Sequence, residues 1–232
     1  MVYDHTTRVP MLIKGPGIAP GTVFSSPSSM VDMAPTMLEL AGGPEQQRQA
    51  MDGMSFASAL LGKSPSTLKD SILVEYLSIR DEDTISTLDL QARSEYIDAY
   101  GYRVDAQNRP QFPWTALRRL QDPESGPNHH WHDGPNNTFS AIRIINTTAN
   151  IDLLYAEFAD VNNPLAWDFA PSQLNFFELY DVRNDYYMMN NIYATASAHV
   201  KEMLHARVQS VIKCRGVVEC TAGLSNSGPI EL

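Results

Sequence analysis

The chain has 232 residues, 43% of them hydrophobic, a formal net charge of −10 and a pI of about 4.9. That apolar share supports a packed core and excludes a disordered chain. The acidic balance offers no basic footprint for nucleic acid and no adhesion to anionic membranes, and no apolar run approaches the roughly 18 residues of a membrane span.

In chain order, residues 8–14 read as a short buried strand ending at the turn Gly15-Pro16-Gly17. Residues 31–43 read as a helix: Asp32 is its N-cap, Pro35 sits in the first turn, and Gly42 or Gly43 stops it. A shorter helix covers Ser55 to Leu61 and ends at Gly62. Ile72 to Tyr76 reads as a strand. From about Arg80 to Pro135 the texture is polar, with Pro, Asp, Asn, Gln and scattered aromatics, as in a long surface excursion. Phe139–Ile145 and Ile151–Phe158 flank Thr147-Thr148-Ala149-Asn150 and predict a β-hairpin; Phe176–Val182 predicts another strand. The last element is a helix over about Thr195–Lys213. Val200, Met203, Leu204, Val208, Val211 and Ile212 form its apolar stripe, with Lys201, Glu202, Arg207 and Gln209 on the other face. Strands followed by one amphipathic helix imply a small antiparallel sheet with that helix on one face.

Several residues carry chemistry. His129, His130 and His132 cluster with Trp131 and Asp133. They read as a solvated loop, as a substrate rim where Trp131 stacks on a sugar and a protonated His meets an anion, or as a metal site lacking a full ligand set. Asp4 and Arg8, four apart, are spaced for an ion pair; Arg118, Arg119 and Arg143 suit oxyanions. Met188 and Met189 are adjacent and cannot share one ligand on a strand. Asn136 and Asn146 open sequons, yet Met1 is followed by Val-Tyr-Asp-His and not by a signal peptide. A chain lacking its natural N-terminus reconciles the two.

The segments TRVPMLIKGPGIAPGTV, SSMVDMAPTMLELAGG, MDGMSFASALLG, ILVEY, NNTFSAIRI and FELYDVRNDYYMMNNI resemble, in order, the second half of a sulfatase of the N-acetylglucosamine-6-sulfatase type. The resemblance implies an α/β, alkaline-phosphatase-like fold, present in part. Residues 1–62 would be the tail of the large α/β domain, and 70–232 the small antiparallel-sheet domain with a packed C-terminal helix and the excursion at about 80–135. It implies a sulfuric ester hydrolase for sulfated sugars or glycosaminoglycans, in the lysosome or outside the cell. It also implies a disulfide between Cys214 and Cys220 in an oxidising compartment; in a reducing one both are free thiols. The family's Cys/Ser-x-Pro-x-Arg nucleophile motif, Asp-Asp pair and Asp-Asn-Gly metal ligands have no counterpart in these residues. No catalytic or metal-binding residue is assigned, therefore, and Ca²⁺ and formylglycine are expected only in the full-length enzyme. The chain alone is expected to be inactive, with a missing N-terminal sulfatase region as its partner and apolar surface left bare in residues 1–62. The alternatives are a non-catalytic sulfated-glycan-binding protein and a fragment of a related metal-dependent phosphodiester or phosphonate hydrolase.

Overall fold

The computed structural model describes residues 2–63, 69–76, 138–147, 149–159, 174–224 and 230. It is a mixed helix and sheet structure. Its centre is a four-stranded antiparallel sheet in sequence order: β1 Ser71–Tyr76, β2 Thr138–Asn146, β3 Ile151–Ala159 and β4 Leu174–Asp181. The hairpin forms as read, with Asn146 opposite Ile151 and Asn150 in the left-handed region at φ 59°.

Alternation along the strands gives two apolar faces. Ile142, Ile144, Leu153, Tyr155 and Leu179 point to one face and meet the helix α5, Ala198–Ile212, through Val200, Leu204, Val208 and Val211. The predicted stripe is therefore the packed one, and the Ser197 hydroxyl accepts from Val200 N to cap the helix. On the other face Phe139, Ala141, Leu154, Ala156, Phe158 and Tyr180 pack with Val2 and Met188. Both sheet faces are thus covered, the second by the start of the chain and the turn after β4.

The first sixty residues form short helices on an irregular frame: α1 Asp4–Thr7, α2 Met33–Leu40 led by a 3-10 turn at Met30–Asp32, α3 Glu45–Gln49 and α4 Ala57–Leu60. α2 and α4 end alike. Gly42 N donates to Glu39 O and Gly43 N to Leu38 O; Gly62 N donates to Ala59 O and Lys63 N to Ser58 O. Gly42 and Gly62 take φ +73° and +67°, so the predicted glycine stops are Schellman caps.

Four readings are corrected. Residues 8–14 are not a strand: Val9 and Leu12 are 69% and 97% exposed, and among the described residues no neighbouring strand pairs with them. An apolar run becomes a strand only when its backbone groups find a partner. Asp32 does not cap α2 with its side chain; its carboxylate instead accepts from Ser29 N as the third residue of a capping box on the 3-10 turn. Arg207 is not on a solvated face but lies under a helix missed in the sequence, α6 Gly216–Leu224. Met188 stands in a turn with φ 52°, buried, while Met189 is exposed.

Candidate functional site

The polar groups that the fold buries mark the places where chemistry could reside, because a buried charge persists only when paired. Asp32 is almost wholly enclosed. Its Oδ2 accepts from Lys69 Nζ at 2.6 Å and from Ser29 N at 2.8 Å, and its Oδ1 from Met54 N at 2.8 Å. The two side chains are 1% and 5% exposed. Lys69 is fixed in turn by Ser26, whose hydroxyl donates to Lys69 O at 2.8 Å, and Phe24, Pro27 and Phe56 line the small cleft above the pair.

The next residue faces the other way. Asp70 Oδ1 accepts from Arg207 Nη2 at 2.6 Å, and Arg207 Nε donates to Gly223 O at 3.0 Å near the end of α6. Ser71 Oγ donates to Leu224 O at 2.8 Å. At its other end α6 begins beside the disulfide Cys214–Cys220, and Gly216 N donates to Asp52 Oδ1 at 2.8 Å.

Under α5, Glu157 is fully buried. Its Oε1 accepts from Tyr155 OH at 2.8 Å and lies 2.6 Å from His205 Nδ1. Burial, and then the Glu157 charge, hold the Tyr155 phenol well above the ordinary tyrosine range. On the opposite face Arg143 donates to both oxygens of Asp4 at 2.9 and 3.1 Å and also meets Asp152. Burial works against its charge, but the two carboxylates outweigh it and hold the guanidinium above its ordinary value. Asp4 therefore pairs with Arg143 and not with Arg8, which is exposed. Arg143, read as an oxyanion contact, has its donors occupied inside the protein.

Each cluster pairs its buried polar groups inside the protein and joins segments distant in sequence. Among the described residues no group of three or more His, Cys, Asp or Glu side chains could hold a metal ion. Asp4, Asp32 and Asp70 each face a cation already, so these carboxylates do not fit a Ca²⁺ site. His129, His130, Trp131, His132, Asn136, Arg118 and Arg119 lie outside the described residues. Asn146 is half-buried at the end of β2: its Nδ2 donates to Asp70 Oδ2 at 3.3 Å and its Oδ1 accepts from Ala149 N at 2.8 Å. Sequence reasoning missed the Asp32–Lys69 and Glu157–His205 pairs. The second left a signal, a lone carboxylate inside the apolar run Leu153-Leu154-Tyr155-Ala156-Glu157-Phe158.

Residues 1–96 match the family described as N-sulphoglucosamine sulphohydrolase, C-terminal. N-acetylglucosamine-6-sulfatase of Bos taurus is 26% identical over 227 residues, which are 98% of this chain and 33% of that protein. The Homo sapiens protein of the same name is 25% identical over 98% of this chain and 34% of its own length. An arylsulfatase of Volvox carteri is 27% identical over 92% of this chain and 26% of itself. The chain spans about a third of the length of the N-acetylglucosamine-6-sulfatases it matches. Along almost its whole length the chain is thus similar to sulfatases, in keeping with a C-terminal sulfatase portion.

Proposed function

We propose that the chain is the scaffold part of a sulfuric ester hydrolase for sulfated sugars of the glycosaminoglycan class, working in the secretory pathway. The observation that carries this reading is similarity to N-acetylglucosamine-6-sulfatases along 98% of the chain. Its role there is to cover one edge of an alkaline-phosphatase-like domain and wall one side of the substrate cleft. The apolar side chains left bare in the first layer, Leu12, Val23, Met30 and Met37 among them, support such a packing role. His129, His130, Trp131 and His132 are the proposed sugar-facing rim, and Asn136 and Asn146 the proposed glycan carriers. Ca²⁺ and the formylglycine nucleophile belong to the rest of the enzyme in this reading, and no catalytic step is assigned to this chain.

The test is an assay with a chromogenic aryl sulfate and Ca²⁺, run on the 232-residue chain and on a sulfatase of the relatives' full length carrying it. No turnover by the chain alone, with turnover by the longer protein, is expected. Turnover by the chain alone overturns the scaffold reading. Retention of the chain alone on immobilised heparin, without turnover in either form, favours a glycan-binding protein.

A further inference from the structure

The sheet face opposite α5 is closed by the first residues of the chain. Val2 is 2% exposed there, and the Tyr3 ring meets Tyr180 edge-on at 6.0 Å. Two carboxylates serve this contact, and the fold treats them unequally. Asp4 is clasped through both oxygens by Arg143. Glu178, on β4, is 7% exposed; its Oε1 accepts from Tyr3 OH at 3.2 Å, and its Oε2 finds no donor among the described residues.

The groups that face Glu178 are Tyr3 from the N-terminal segment, with His5 stacked on it at 5.7 Å, and Tyr180 from β4 itself; Ala156 stands opposite on β3. A buried carboxylate served by neutral donors is costly as an anion and much less so as an acid. We propose that Glu178 takes up a proton in the folded protein, and that this proton fastens Val2–Thr7 to the sheet, making the fold firmer in mildly acidic than in neutral solution. The electrostatics agree with the geometry. Desolvation raises the Glu178 carboxyl above its ordinary 4.5, and hydrogen bonds from Tyr3 and Tyr180 offset only part of that. With the folded value above the unfolded one, the stabilisation is complete below the unfolded value and is lost as pH rises through the folded one.

The experiment follows thermal midpoints of the full chain between pH 4.5 and 8 in three forms: unsubstituted, Glu178→Gln, and Glu202→Gln. Glu202 is exposed on α5, so its variant removes the same charge without touching the sheet. The unsubstituted midpoint is expected to rise by a few degrees as pH falls from 8 to 5.5. Glu178→Gln, which mimics the neutral acid, should melt higher than the unsubstituted chain at pH 8 and lose at least half of that rise, while Glu202→Gln keeps it. Equal pH slopes in Glu178→Gln and the unsubstituted chain overturn the proposal. Should Glu178→Gln not fold, carboxyl ¹³C titration of the glutamates in the unsubstituted chain decides. A resonance titrating above the ordinary range, moved by Tyr3→Phe, supports the proposal, and the lack of one overturns it.

Discussion

Lys69 shows at single-residue scale how burial turns a polar side chain into a structural commitment. Its ammonium depends on Asp32, so Asp32→Asn leaves a buried cation facing a neutral amide. Breaking a buried pair in this way costs about 3–5 kcal/mol, which urea unfolding would read as a lowered midpoint; Asp32→Asn with Lys69→Met should recover part of that loss. Glycines make a second residue-scale contrast. A Cβ at Gly53 would sit 2.1 Å from Val31 O and 2.5 Å from Val31 C, both backbone atoms that cannot swing aside. Gly53→Ala is expected to cost at least about 1–3 kcal/mol, and thermal melting checks it. A Cβ at Gly62 meets nothing within 4 Å, so Gly62→Ala there carries mainly the strain of a positive φ, roughly 1–2 kcal/mol. Gly62 was legible in the sequence because its task is local, ending a helix. Gly53 was not, because the chain that crowds it lies some twenty residues earlier.

Legibility at the level of elements follows the same divide. α5 could be read because its fifteen residues repeat an apolar stripe, and the structure adds a Ser197 cap at its start. Ser197→Ala should cost about 1 kcal/mol, seen as lower helix content on mild heating. α6 could not be read. It is nine residues long, opens with Gly216-Val217-Val218, which are poor helix formers, and exposes Val218. What keeps it helical is fixation at both ends: Asp52 and the Cys214–Cys220 bridge at the start, Arg207 and Ser71 at the finish. Replacing both cysteines by serine should lower stability by about 2 kcal/mol, and amide exchange should quicken at Gly216 before it does in α5. Residues 8–14 failed in the opposite sense. They carry an apolar run, but pairing is a property of neighbours and not of the run itself.

For the molecule as a whole, the sequence conveyed the four strands, the long helix and the family, because periodicity and ordered motifs are carried locally. It did not convey how the first layer and the sheet are tied together, since Tyr3–Glu178, Asp4–Arg143, Asp32–Lys69 and Asp52–Gly216 each span more than thirty residues. The bare side chains of the first layer, Val9, Leu12, Val23, Met30 and Met37, are 61–97% exposed. The folded chain should therefore bind a dye such as ANS and self-associate as concentration rises, whereas a sulfatase of full family length carrying the same residues should do neither. Light scattering with dye fluorescence distinguishes the two.

Lys69 and Asp70 are consecutive, yet one is anchored in the layer before it and the other beneath the last helix. The two side chains reach anchors on opposite sides from adjacent positions, so lengthening the peptide by one residue between them would turn one of them away from its anchor. The spacing of this dipeptide therefore acts as a gauge for the whole assembly. Engineers hoping to graft, shorten or circularly permute the molecule will find this point the least forgiving, however exposed and loop-like the surrounding sequence looks.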